Sequence, residues 1–147
     1  ADHFNPDYTV TFSICNAVEN GVVTTGTSDW RDYTVKRTIT FSQQESAGLV
    51  ARAKGHRRYY GAVLMENCAV IYKQKNEKRI EIARTPFDYL IDNTYEIEFA
   101  VKADSLIMKV NGNIVVKGKD SEYKNGQAGF VVDTGAILGD GFEICRL

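Results

Sequence analysis

The chain has 147 residues, 44% of them hydrophobic and 25% charged, with a formal net charge of −1. That length suits one domain with a sizeable core, and the composition is ordinary for a globular protein. The near-zero charge argues against non-specific nucleic-acid binding, and no apolar run approaches the roughly 18 residues of a membrane helix.

Thr9–Ile14 sets Val10, Phe12 and Ile14 against Thr9, Thr11 and Ser13, the period-two alternation of a strand. Asn20-Gly21 is a turn signal. Trp30, the only tryptophan, follows a Thr/Ser/Asp turn and either stacks on a ligand or packs the edge of the fold. Tyr33–Phe41 places Tyr33, Val35, Ile39 and Phe41 on one side. Arg37 falls among them, so it either pairs with a carboxylate or lies where that face reaches solvent.

The next stretch reads as a strand (Gly48–Ala53), a tight basic loop (Lys54–Arg58) and a second strand (Tyr59–Met65). Alternation puts Leu49, Ala51 and Ala53 on one face and Val50 with Arg52 on the other. On the second strand it separates Tyr60, Ala62 and Leu64 from Tyr59, Gly61, Val63 and Met65. Tyr59 is expected in the core, by its register with Val63 and Met65. Arg52 and Tyr60 are expected to project outward from small neighbours, where an aromatic ring and a planar multi-donor cation suit a hydroxyl-rich ligand such as a sugar. The plainer alternative is a surface Arg stacked on an exposed Tyr.

Ala69–Gln74 and Arg79–Arg84 are two more strands around the turn Lys75–Lys78. Lys73 is expected to share its face with Arg52, since Tyr72 sides with Val70. Pro86–Leu90 has room for one helical turn. Tyr95–Val101 alternates cleanly. Ser105–Lys117 is a hairpin around Asn111-Gly112. Gln127–Asp133 and Gly141–Arg146 are the final strands, with Asn93, Asn125-Gly126 and Gly139–Gly141 as turns. Asp133 ends its strand as either a polar residue at a ligand rim or a turn initiator.

Ten to thirteen short strands without a sustained helical period mean an all-β, two-sheet antiparallel sandwich, most simply a jelly roll. Cys15, Cys68 and Cys145 show no metal-ligand spacing; Cys15 and Cys145, in the first and last strands, could be bonded if those strands are neighbours. His3 and His56 have no nucleophile partner in a recognisable motif, Glu96 and Glu98 read as a solvent face, and there is no phosphate-binding glycine loop.

Six segments then follow in a familiar running order: Trp30–Tyr33 (WRDY), Gly48–Ala53 (GLVARA), Arg58–Tyr60 (RYY), Lys109–Gly112 (KVNG), Ala128–Val132 (AGFVV) and Asp140–Glu143 (DGFE). Over about Thr25–Ile144 the chain resembles concanavalin-like, laminin-G-like jelly-roll domains. Within them it resembles levan-type carbohydrate-binding modules and the accessory domain of bacterial ADP-ribosylglycohydrolase-like proteins. The resemblance implies a concave sheet as ligand face. It also implies a structural calcium ion away from that face, with Asp140 at the position of the late acidic ligand; in its Gly-Asp-Gly setting Asp140 is equally a turn residue.

The expectation is therefore a non-catalytic carbohydrate-binding module for a polysaccharide or oligosaccharide. Its expected ligand residues are Arg52, Arg58, Tyr60, Lys73, Asp133 and Trp30. The rivals are a structural or interaction domain supporting a neighbouring enzyme domain, and a glycoside hydrolase of the same shape. No nucleic acid and no membrane is expected as partner. Because the chain opens on Ala1 without an initiator Met, it is expected to be one sandwich domain cut from a longer protein, tethered there to an enzyme domain.

Overall fold

The computed structural model describes residues 8–10, 21–41, 46–90, 92–132 and 136–147, with backbone alone for 8–10, 21, 23, 132 and 136–142. The strands are β1 (Tyr8–Val10), β2 (Gly21–Thr25), β3 (Tyr33–Phe41), β4 (Ala47–Ala53), β5 (Arg58–Met65) and β6 (Cys68–Lys75). They continue with β7 (Lys78–Pro86), β8 (Thr94–Lys102), β9 (Ser105–Val110), β10 (Asn113–Lys119), β11 (Gln127–Val132) and β12 (Ala136–Arg146). They form two six-stranded sheets, ordered β1-β12-β3-β8-β9-β10 and β2-β11-β4-β5-β6-β7. The expected antiparallel sandwich is the fold.

The alternation seen in the sequence builds the core directly. Tyr33, Val35, Ile39 and Phe41 of β3, Ile97, Phe99 and Val101 of β8, and Leu106, Met108 and Val110 of β9 face inward from the first sheet. Leu49, Ala51, Tyr60, Ala62, Leu64, Ile71 and Phe130 meet them from the second. Arg37 is buried among them, so this face does not reach solvent there, and its guanidinium lies 4.5 Å from the centre of the Phe130 ring, a cation–π contact.

The outer face of the second sheet is also apolar. Val50, Ala53, Tyr59, Val63, Val70, Tyr72 and Val131 form a separate buried cluster there. Tyr72 lies over Gly61, where an added Cβ would come within 2.4 Å of its ring, and its hydroxyl lies 3.1 Å from that of Tyr59. The glycine leaves the space that the ring fills.

Several local expectations change. The helical turn around Pro86–Leu90 does not form, and the described residues contain no helix. β2 is a strand that alternation did not reveal, since its five residues show no polar–apolar contrast. The hairpin stands as expected, Asn111 and Gly112 both taking the positive φ (51° and 84°) that a two-residue turn of this hand requires. Gly139–Gly141 is no turn between strands. It lies inside β12, at the register shift between Leu138 and Phe142, so the glycines serve a bulge. His3, residues 11–14 of the first expected strand, Cys15, Asn20 and Asp133 lie outside the described residues.

Candidate functional site

Strict alternation would carry Arg52 outward beside Val50, but β4 is bulged. β11 pairs Gln127 with Ala53 and Gly129 with Val50, so one extra residue of β4 fits between. Arg52 takes a left-handed φ of 52° in the bulge, Ala53 rejoins Val50 in the outer cluster, and the arginine side chain enters the end of the sandwich. There it is 1% exposed.

Its Nε donates to the Arg31 carbonyl at 2.9 Å, Nη1 to the carbonyls of Ala103 at 2.6 Å and Tyr123 at 3.2 Å, and Nη2 to Asp32 Oδ1 at 3.1 Å. The Arg52 amide donates to the Tyr33 hydroxyl at 2.6 Å, and that hydroxyl donates to the Gly126 carbonyl at 3.0 Å. Burial holds the Tyr33 hydroxyl well above the usual tyrosine range, so it stays a donor. A buried cation is tolerable only with its donors met. One rigid guanidinium thus fastens the start of β3, the β8–β9 turn and the β10–β11 connection. The expected outward-facing sugar donor is corrected to an internal fastening.

Tyr60 is corrected in the same direction, because its face of β5 is the core face. It is fully buried, with its ring centre 5.1 Å from that of Tyr123. Its hydroxyl donates to Asp120 Oδ1 at 2.9 Å and accepts the Tyr123 N–H at 3.0 Å. Burial, more than any partner, pushes this phenol up to about 12. Tyr59 is buried as expected, but in the outer cluster and not between the sheets.

Lys73, paired in register with Tyr60, does share its face. Its Nζ contacts Asp120 Oδ2 at 2.7 Å and Glu122 Oε1 at 2.9 Å. The hydrogen bond it donates to Asp120 raises the ammonium pKa, against burial. Burial pushes the Asp120 carboxyl up, but hydrogen bonds from Lys73, the Glu122 N–H and Tyr60 together outweigh it and hold the group below its usual value.

Of the remaining candidates, Trp30 is buried with its ring edge-on to Tyr33 at 5.9 Å and packed over Gly26. That is the edge-packing role of the two it was allowed. Arg58 is exposed, its Nε donating to Asn76 Oδ1 at 3.3 Å. Asp133 is not among the described residues, and of Asp140 only the backbone, in β12, is described. Among the described residues no three His, Cys, Asp or Glu side chains converge as ligands of an ion.

What the arginine fastening creates is a pocket of about 440 Å³ at the end of the sandwich, lined by Arg31, Asp32, Arg52, Ala103, Asp104, Ser121 and Lys124. Asp32 is its fixed point. Oδ1 accepts from Arg52 Nη2 and from the Ala103 N–H at 3.0 Å. The side chain is still 39% exposed, and among the described residues its bonds are made through this one oxygen. Sequence reasoning missed Asp32, Asp104, Ser121, Lys124 and, behind them, Asp120 and Tyr123. For Asp120, Ser121, Tyr123 and Lys124 the one signal was a polar run between two apolar strands, 120–126, of the kind that loops at sites carry.

Comparisons by sequence, with family patterns and with curated proteins, find no match. Comparison of structures does. The carbohydrate binding module CBM66 from Bacillus subtilis superposes with a TM-score of 0.73 at 19% identity, over 95% of this chain and 97% of that one. A galectin of Caenorhabditis elegans gives 0.71 at 9% identity over 94% and 96%. Domain 4 of an extracellular arabinanase from Geobacillus stearothermophilus, solved with arabinotriose, gives 0.64 at 12% identity over 85% and 66%. At such identities the likeness is one of architecture, and the chain has the jelly-roll, concanavalin-like fold of these proteins.

Proposed function

We propose that the chain is a non-catalytic carbohydrate-binding module whose ligand enters the pocket at the end of the sandwich. The observation that carries this is Asp32, a carboxylate fixed through one oxygen by Arg52 and the Ala103 amide and open at the other. Such a group accepts a sugar hydroxyl without first having to be ordered. Ser121 and the cations Arg31 and Lys124 stand around it as further partners for hydroxyls.

The fold supports the reading, since similar structures include a carbohydrate binding module, a galectin and an arabinanase domain solved with arabinotriose. The implied concave-sheet site fits less well. The outer face of the second sheet is an apolar cluster that solvent barely reaches. The arabinanase domain also supports tethering of this chain to an enzyme in a longer protein as part of the proposal. A second reading, an interaction domain without a sugar site, is favoured by one observation: Arg52, Tyr60 and Lys73 all spend their polar atoms inside the molecule.

A glycan array probed with the chain separates the two. A sugar ligand is expected, and Asp32→Ala should weaken its binding about tenfold to a hundredfold, the loss of a charged hydrogen bond of roughly 1.5–3 kcal/mol. Lys124→Ala, on the exposed rim, should weaken it less while leaving the fold untouched. A chain that binds nothing on the array, or an Asp32→Ala variant that is folded and binds as wild type, overturns the pocket.

A further inference from the structure

The charge of this chain is nearly balanced in sum but not in space. The β4–β5 and β6–β7 turns lie side by side at one end of the second sheet, joined by the Asn76 N–H donating to the Arg57 carbonyl at 2.8 Å. Between them they expose Lys54, Arg57, Arg58, Lys75, Lys78 and Arg79, against the single carboxylate of Glu77. Arg57 pairs with that Glu77 at 3.0 Å and Lys75 with Glu122 at 3.0 Å. Arg58 donates to a neutral amide and Arg79 lies 4.1 Å over the Tyr72 ring.

The register sharpens the pattern. Arg58 pairs directly with Lys75, and Lys75 with Lys78. Strands stand about 4.8 Å apart, so three cations line up within about 10 Å. Like charges directly opposite one another destabilise a sheet. An anionic chain laid along the row would relieve that repulsion, and the tight turns beneath already fix its backbone.

The row also adjoins the pocket. The Lys54 ammonium meets the Asn125 side chain, next to Lys124 on the pocket rim. Lys54 of the β4–β5 turn thus neighbours the pocket rim, while on the β10–β11 connection Asp120 pairs with Lys73 and Glu122 with Lys75.

We propose that the module takes an anionic polysaccharide, one bearing uronate or sulfate groups, with a sugar seated in the pocket and the adjoining acidic units along Arg58, Lys75 and Lys78. This rests on the reading of the pocket as a sugar site.

Affinity electrophoresis tests it, with polygalacturonate and dextran sulfate as anionic polymers, arabinan and levan as neutral ones, and double-stranded DNA as a non-glycan polyanion. At least one anionic glycan should retard the chain more than either neutral glycan. The retardation should weaken as salt rises from about 50 to about 200 mM. Arg58→Ala/Lys78→Ala, both exposed turn positions, should lose about fivefold to tenfold on the anionic glycan, as two exposed charges can give, and keep its circular dichroism spectrum. Equal retardation of wild type and double variant, or no preference over neutral glycans, overturns this inference; the pocket reading then stands if Asp32→Ala still weakens binding to a neutral glycan about tenfold to a hundredfold. Equal retardation by DNA overturns it too, as an undiscriminating basic patch. Retardation by none of the polymers overturns this inference, and the glycan array then decides the pocket reading.

Discussion

Replacing Arg52 by Ala leaves the carbonyls of Arg31, Ala103 and Tyr123 and one oxygen of Asp32 without their donor. Removing one partner from a buried charge cluster costs about 3–5 kcal/mol. The urea midpoint of Arg52→Ala should fall accordingly, with the slope of the transition unchanged. Arg52→Lys should recover little, because a point ammonium cannot reach partners spread around a planar fork. A wild-type midpoint in Arg52→Ala would overturn the fastening. At this scale the sequence marked the right residues but not the direction of their side chains. Arg52 and Tyr60 stood out as large polar groups in a small apolar hairpin. Alternation gave Tyr60 the face of Ala62 and Leu64 correctly, and that face is the core. It failed for Arg52 because a bulge leaves no mark in a two-residue period, and the left-handed φ fell on arginine where glycine would have announced it.

Among elements, the β10–β11 connection is held to the end of β6 by charge. Asp120, whose folded pKa is depressed, contributes stability that is complete above its unfolded value and lost as pH falls through the folded one. Lys73, whose folded pKa is raised, contributes stability that is complete below its unfolded value and lost as pH rises through the folded one. Tyr60, also raised, acts on the same alkaline side. The contribution should therefore be level from about pH 5 to about pH 9 and decline on both sides. Urea denaturation across pH reads this directly. Lys73→Met should flatten the acid limb, and an unchanged acid limb in that variant would show that the ion pair adds nothing. The strands themselves were legible because period-two alternation is strong in β3, β8 and β9. The connection was not. Asp120 meets Lys73 across 47 positions of sequence, and nothing local to either records the other. The apolar outer face of the second sheet was equally illegible, because β4, β5 and β6 are apolar on both faces, and alternation cannot tell which one the opposite sheet covers.

At the scale of the molecule, the twelve strands of the described residues lie in two sheets that share a core between them, which was the expected architecture. The calcium implied through Asp140 remains a proposal about the molecule's overall stability. An ion bound only by the folded chain raises the melting temperature, so excess chelator should lower it; an unchanged melting curve removes the ion from the account. The guanidinium at the end of the sandwich bears on more than stability. Because Arg52 joins β3, the β8–β9 turn and the β10–β11 connection in every folded copy, the walls of the pocket are set before any ligand arrives. On the proposed reading of the pocket, little chain entropy among these walls is left to be lost on association. Free and occupied forms should then superpose closely, and selectivity falls to which ligands match a fixed shape, not to how far the protein can adapt.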